Sequence, residues 1–206
     1  MEFRDVVRAR RMVRAYDPER PVARETLTGL LELAIRAPSA GFSQGWDFVV
    51  LRTPTDTGRF WATTKEDGEP DRWLAGMQTA PALVLCLSDR ERYLDRYAEP
   101  DKGWSDRDSA RWPVPYWDVD TGMAGLLILL GAVDDGLAGC FFGVPPHRQE
   151  AVLAEFGVPP GHRIVGVISL GYPAADRRSP SLRRGRRPVT EVAHDGTFGT
   201  SWPGSP

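Results

Sequence analysis

Arginine is the side chain of this sequence that most plainly invites chemistry. Arg10, Arg11 and Arg14 crowd the end of a first helical stretch. Arg184 and Arg186 stand in a second basic run, "RRSPSLRRGRR" (177–187), which holds six arginines and no acid. A guanidinium fork pairs bidentately with phosphate. Between the clusters in chain order lies "RAPSAGFSQGWDFVVL" (36–51). There Pro38, Ser39, Ala40, Gly41, Ser43, Gln44 and Gly45 place many hydrogen-bonding groups and little bulk before a hydrophobic strand. An arginine cluster alone is more often a solvated face. Arginines near both ends, with a small-residue loop offering backbone N–H groups, suit a flat phosphorylated cofactor.

Other chemistries are set aside by spacing. His147, His162 and His194 lie far apart in the chain and beside neither an HExxH nor a CxxC pattern, so no metal site is expected. There is no GxSxG elbow and no Walker loop. The glycines near 166 lie inside a strand and do not open a helix, so no dinucleotide fingerprint is present. With so little acid, base or nucleophile in view, a bound cofactor is the expected carrier of any reaction. Cys86 and Cys140 sit in apolar strings and read as reduced core thiols.

The elements that must position these residues follow from periodicity. Hydrophobic residues make up 41% and charged residues 26% of 206, as expected for a soluble globular chain. The net charge of −2 gives no reason to expect nucleic acid. "MEFRDVVRARR" lacks the apolar core of a secretory signal, and the longest apolar stretch, 122–133, is too short to span a bilayer. The sequence therefore reads as cytoplasmic, with no membrane partner. Phe3, Val6 and Val7 mark a short first helix. Leu27, Leu30, Leu31, Ala34 and Ile35 mark a second, starting near Val22 and stopped by Pro38. Strands are expected at 46–52, 81–88 and 162–173, with a short one in "GLAGCFFGV". A helix in "DRWLAGMQTAP" should turn Trp73 and Met77 inward, and another runs through "PPHRQEAVLAEFG" to Gly157. Residues 119–135 are apolar on every side, which predicts a central helix. Residues 89–118 are charged and aromatic, and too long for an ordinary connection. They read as a lid or insertion that brings Tyr93, Tyr97, Trp104, Trp112, Tyr116 and Trp117 to a substrate, with a solvated insertion as the alternative. The whole is one α+β domain over 1–206, with a C-terminal tail over 174–206.

Three segments in order resemble the FMN-dependent nitroreductase family. "RARRMVRAY" (8–16) is similar to its RRSxR-type opening, "APSAGFSQGWDFVVL" (37–51) to its APSxxNxQPWxFxVx motif, and "LRRGRRPVTEVAH" (182–194) to its closing basic segment. The resemblance spans about residues 3–199. It implies a mixed sheet flanked by helices, and a central helix at the interface of an intertwined homodimer. One FMN per subunit would be contacted by both chains. By position, Arg10 and Arg14 would grip the phosphate and ribityl chain, with Arg11 assisting, and Arg184 and Arg186 would complete the phosphate site. Pro38, Ser39 and Ala40 would reach the partner's flavin edge, and Gln44 would hydrogen-bond it. Phe141, Phe142 and Gly143 would lie against the ring, with an N–H near Gly143 directed at N5. Three positions depart from the pattern: Met12, counted among the FMN-binding residues by its position, stands where serine is frequent, Phe42 where asparagine is common, and Gly45 in place of proline.

The resemblance implies an FMN-dependent NAD(P)H oxidoreductase. A nicotinamide would deliver hydride to flavin N5, and an electron-poor acceptor such as a nitroaromatic or quinone would take it in a ping-pong cycle. That cycle requires no catalytic side chain. Two alternatives stand beside it. One is a specialised branch, such as a flavin-fragmenting dimethylbenzimidazole synthase or a reductive dehalogenase. The other is a flavin-binding module without turnover.

Overall fold

A computed structural model describes residues 1–175 and 179–203. Arg177 and Arg178 of the arginine run lie outside the described residues, as do 204–206. The chain divides into two units, Met1–Asp176 and Arg177–Pro206, and each is described by itself.

The first unit is an α+β structure. Its elements are α1 (Phe3–Ala9), α2 (Arg24–Ala34), β1 (Trp46–Leu51), α3 (Pro54–Thr63), α4 (Arg72–Met77), β2 (Ala82–Asp89), α5 (Arg90–Ala98), α6 (Tyr116–Asp134), β3 (Ala138–Phe142), α7 (Gln149–Glu155) and β4 (His162–Gly171). The four strands pair in the order β1-β2-β4-β3, every neighbouring pair antiparallel. The parallel component of the expected mixed sheet among the described residues is the bridge from Met12 to Gly139.

Strand β2 shows why the sheet is covered on both faces. Successive strand side chains alternate sides. Leu83, Leu85 and Leu87 pack with Phe60 of α3, Met77 of α4 and Val152 of α7. Ala82, Val84 and Cys86 pack with Leu27 and Leu30 of α2 and with Ala124, Ile128 and Ala132 of α6. An unbroken apolar strand is what two buried faces require. Burial alone pushes the Cys86 thiol up to about 12, so it remains a protonated core group.

Helix α6 starts three residues before the apolar pattern suggested and takes in Tyr116 and Trp117. At 19 residues, with mean hydropathy 1.2 over an 18-residue window, it is long and apolar enough to cross a membrane by length and composition, and half of that window is buried inside the chain. Pro115 and the aromatic pair hide this first turn from the apolar pattern. One side, including Trp117, Ala124, Ile128 and Ala132, is buried. Tyr116, Val119, Met123, Leu126, Leu130 and Val133 recur at helical spacing along another face, and each is exposed or only partly buried.

Two smaller expectations are corrected. Met77 of α4 is fully buried, but Trp73 is 40% exposed, because a helix of six residues offers one inward face. Of the first helix, only Val6 is buried, while Phe3 and Val7 face outward. The second unit, described for 179–203, holds a short 3-10 turn at Pro180–Arg184 and α8 (Val189–Val192).

Candidate active site

The arginine segment is strapped to the sheet. Val13 N–H donates to Gly139 O at 3.1 Å and Asp17 N–H to Tyr172 O at 2.9 Å. Tyr16, 2% exposed, donates its hydroxyl to Val13 O at 2.6 Å and meets Ser169 Oγ at 2.7 Å. Its N–H donates to Thr79 Oγ1 at 2.9 Å. These contacts fix where Arg10, Arg11 and Arg14 leave the chain. Arg11 is exposed. Arg14 Nη1 donates to Met12 O at 3.4 Å. Arg10 Nη1 is buried and has no hydrogen-bond partner among the described residues, a state that costs stability until an acceptor arrives. Met12 does not stand in for a phosphate-side hydroxyl. Its Sδ accepts from Phe141 N–H at 3.4 Å, which turns the side chain toward β3.

The small-residue loop is built differently from the expectation. Its N–H groups are largely used within the chain. Ala40 N–H donates to Asp120 Oδ2 at 2.8 Å, Phe42 N–H to Ser39 O at 3.0 Å, Ser43 N–H to Ala40 O at 3.1 Å, and Gln44 N–H to Ser39 Oγ at 3.0 Å. A tight turn leaves backbone donors half-buried, and such donors find partners. What the loop presents outward is Pro38, the Gln44 side chain and above all Phe42, which is 75% exposed. Gly45 is explained by packing. A Cβ there would lie 2.4 Å from the Tyr93 ring and 2.7 Å from Asp89 O, so a proline would collide as well.

On β3 the two phenylalanines point to opposite faces. Phe142, 9% exposed, stacks with Trp61 at 5.8 Å between centroids. Phe141 lies over Gly166 and Gly125, where added Cβ atoms would come within 2.2 Å and 3.2 Å of its ring. Strand alternation commits both rings to packing. Gly143 is exposed, and nothing lies within 4 Å of a Cβ built on it, so a flat ring has room to approach.

Residues 89–118 contain α5 and a 3-10 turn at Ser109–Arg111, and they run into α6. Their aromatic rings pack on one another. Trp112 is the hub, with Tyr97 at 4.5 Å, Trp104 at 5.5 Å, Tyr93 and Trp117 at 5.9 Å, and Tyr116 at 6.0 Å. Tyr93 is fully buried and Trp117 is 9% exposed, so these two are core rather than substrate-facing. Burial, reinforced by its hydrogen bond to Asp120, holds the Tyr93 phenol above its usual range and keeps it a donor.

Two features were invisible to spacing. A cavity of about 460 Å³ is lined by Trp61, Thr64, Glu66, Asp71, Leu74 and Gln78, and the Trp61 Nε1 beside it is buried without a partner among the described residues. Asp47, Asp89 and His162, far apart in sequence, bring potential ligand atoms within 4.8 Å of one another. These groups already have partners. His162 Nε2 meets Asp47 Oδ2 at 3.1 Å, and Asp89 caps α5 through the Glu91 N–H. In the second unit Arg184 and Arg186 are exposed, and Arg187 pairs with Glu191 at 3.4 Å.

Comparison with known proteins identifies the family and the fold. The model of the nitroreductase family matches residues 7–172. An Archaeoglobus fulgidus protein assigned as an NADH dehydrogenase/NAD(P)H nitroreductase is 26% identical over 174 residues, covering 84% of this chain and 86% of its own. The NADH dehydrogenase of Thermus thermophilus is 29% identical over 186 residues, covering 81% and 84%. In three dimensions, an Exiguobacterium sibiricum protein assigned as a nitroreductase and solved in complex with FMN superimposes with a TM-score of 0.71 at 20% identity, covering 94% of this chain and 96% of its own.

Proposed function

Because the chain belongs to the nitroreductase family, we propose that it is an FMN-dependent oxidoreductase that uses NAD(P)H to reduce an electron-poor small molecule, a nitroaromatic or a quinone. The observation that carries this reading is Arg10. Its buried, unpartnered guanidinium nitrogen needs an acceptor, and an anionic oxygen is the strongest one available. The chemistry of the donor set thus fits a phosphate-bearing cofactor.

Bound FMN supplies the two-electron redox chemistry that side chains lack. This chain's residues bind and orient. Arg10 and Arg14 hold the phosphate end, fixed by the strap at Val13 and Tyr16. Gly143 leaves room beside β3 for the ring. The 38–45 loop presents short groups and the Phe42 ring. Arg184 and Arg186 are further phosphate ligands on the resemblance alone. The aromatic segment around Trp104 and Trp112 influences acceptor choice.

The working form we propose is a cytoplasmic homodimer. The α6 stripe with Val119, 42% exposed, and Leu126, 46% exposed, is an apolar face of a core helix that the described residues of the first unit leave uncovered. A second copy covers it and brings the loop of one subunit to the flavin of the other. Such faces on monomers mark interaction sites.

Purified protein should be yellow, or become so with added FMN, and its flavin absorbance should bleach with NADH or NADPH and recover with a quinone. A colourless protein that binds no added FMN overturns the proposal. Bleaching without acceptor-dependent recovery would indicate a flavin-binding module instead.

A further inference from the structure

The 38–45 loop holds an unusual shape. Gly41, Phe42 and Gln44 have φ of 62°, 56° and 51°, and two of these residues are not glycine. A bulky side chain in the left-handed region is strained and keeps that conformation only where its surroundings over-determine it. Here they do so from behind. Arg96 Nε donates to Gly41 O at 2.9 Å, while its two terminal nitrogens grip Asp101 at 2.7 Å each. The Tyr97 ring backs Gly41, where an added Cβ would lie 2.6 Å away, and Tyr93 backs Gly45.

The deepest of these contacts is Asp120. It is 2% exposed, on the face of α6 that otherwise buries Trp117, Ala124, Ile128 and Ala132. Its Oδ2 accepts the Ala40 N–H at 2.8 Å and the Tyr93 O–H at 2.7 Å. A buried carboxylate in an apolar helix is costly unless its hydrogen bonds hold something in place. What these bonds hold is the loop, tied through Ala40 to the central helix and through Tyr93 to α5.

We infer that Asp120 is a positioning residue. With Tyr93 it sets the conformation of the Ala40–Gln44 loop, consumes the Ala40 N–H, and so directs Phe42 rather than a backbone donor toward the flavin. The inference rests on the flavin reading for its consequence, but the clamp itself can be tested without flavin. Asp120 is buried and acts through the loop it holds.

Three variants separate the clamp from mere structural support. Asp120→Asn keeps an oxygen able to accept both bonds. Asp120→Ala removes the acceptor. Tyr93→Phe keeps the ring under Gly45 and removes one donor. Amide hydrogen exchange over 39–45 is measured in the FMN-free protein, and FMN affinity by flavin fluorescence. In Asp120→Ala, exchange at Ala40 should accelerate about tenfold beyond any change in the β2 amides, and FMN affinity should fall by about tenfold. Asp120→Asn should restore both to near wild type, and Tyr93→Phe should show a smaller change of the same sign. A folded Asp120→Ala protein with a lower Tm but unaltered loop exchange and FMN affinity overturns the inference. If Asp120→Ala fails to fold, unaltered exchange in Tyr93→Phe overturns it. A wild-type protein that binds no FMN sinks the flavin reading separately, because the exchange measurement still judges the clamp.

Discussion

Gly76→Ala should destabilise this protein although helix propensity alone predicts the reverse. Gly76 lies inside α4, where alanine is favoured over glycine by about 0.8–1 kcal/mol. A Cβ built at Gly76, however, lies 2.1 Å from the backbone carbonyl oxygen of Arg14, against a floor of 3.0 Å for real contacts. Either α4 or the strap must retreat by close to an ångström. The strap cannot yield freely, because Tyr16 is held by bonds of 2.6, 2.7 and 2.9 Å to Val13, Ser169 and Thr79. Loss of one or two of these removes roughly 0.5–1.5 kcal/mol each, and overpacking adds about 1–3 kcal/mol. After the propensity gain, the net expectation is a loss of about 0.5–5 kcal/mol. For a chain of this size that lowers Tm by roughly 2–4 °C per kcal/mol. Gly58→Ala in α3 is the control, since nothing lies within 4 Å of its Cβ, and it should be neutral to stabilising by up to about 1 kcal/mol. Thermal unfolding of both variants at one protein concentration reads the result, with FMN retention expected to fall in Gly76→Ala alone. If both variants gain stability alike, the close approach of α4 to the arginine strap is wrong.

Other outcomes follow from the same structure. Arg10→Met should weaken FMN binding by roughly ten- to a hundredfold, the worth of a charge-assisted phosphate contact, while leaving the FMN-free protein as stable or more so, because a buried unpartnered nitrogen is removed. Titrating FMN and melting the FMN-free form would show this, and unchanged affinity would exclude Arg10 from the site. Leu126→Glu should convert a dimer to monomers in light scattering and lower FMN retention with it; a variant that stays dimeric removes α6 from the interface. Cys86, whose pKa burial raises from 9.0 to about 12, stays protonated in the folded chain while the unfolded chain ionises. Stability from this group is complete below pH 9 and is lost as pH rises toward 12, at about 1.4 kcal/mol per pH unit. Cys86→Ala should therefore show a shallower alkaline decline in Tm than the wild type, and equal slopes would count against the assignment.

Much of this arrangement was legible in the chain itself. Strand β2 announced itself because burial on two faces demands an unbroken apolar run. Helix α2 was legible from its apolar spacing, and the arginine strap, the 38–45 loop and the closing basic run carried the family resemblance in their order. Those signals are local, set by side-chain type and period. Distant pairings decided the rest. The aromatic residues of 89–118 look alike in sequence, yet Tyr93 and Trp117 are buried while Tyr116 is 43% exposed, because Trp117 lies on the buried face of α6 and Tyr116 on its outward stripe. Asp120 reads as one acid at the edge of an apolar helix, and only the fold gives it Ala40, 80 residues away, as a partner. The loop N–H groups that the sequence offered to a ligand are largely taken up by the loop's own carbonyls and hydroxyls and by Asp120, because a half-buried donor cannot stay unpaired. Sequence pattern marked the strands, α2 and the central helix, and the arginines we propose for phosphate. Tertiary structure alone decided which polar groups those elements leave unpaired, because hydrogen-bond satisfaction is a property of neighbours in space.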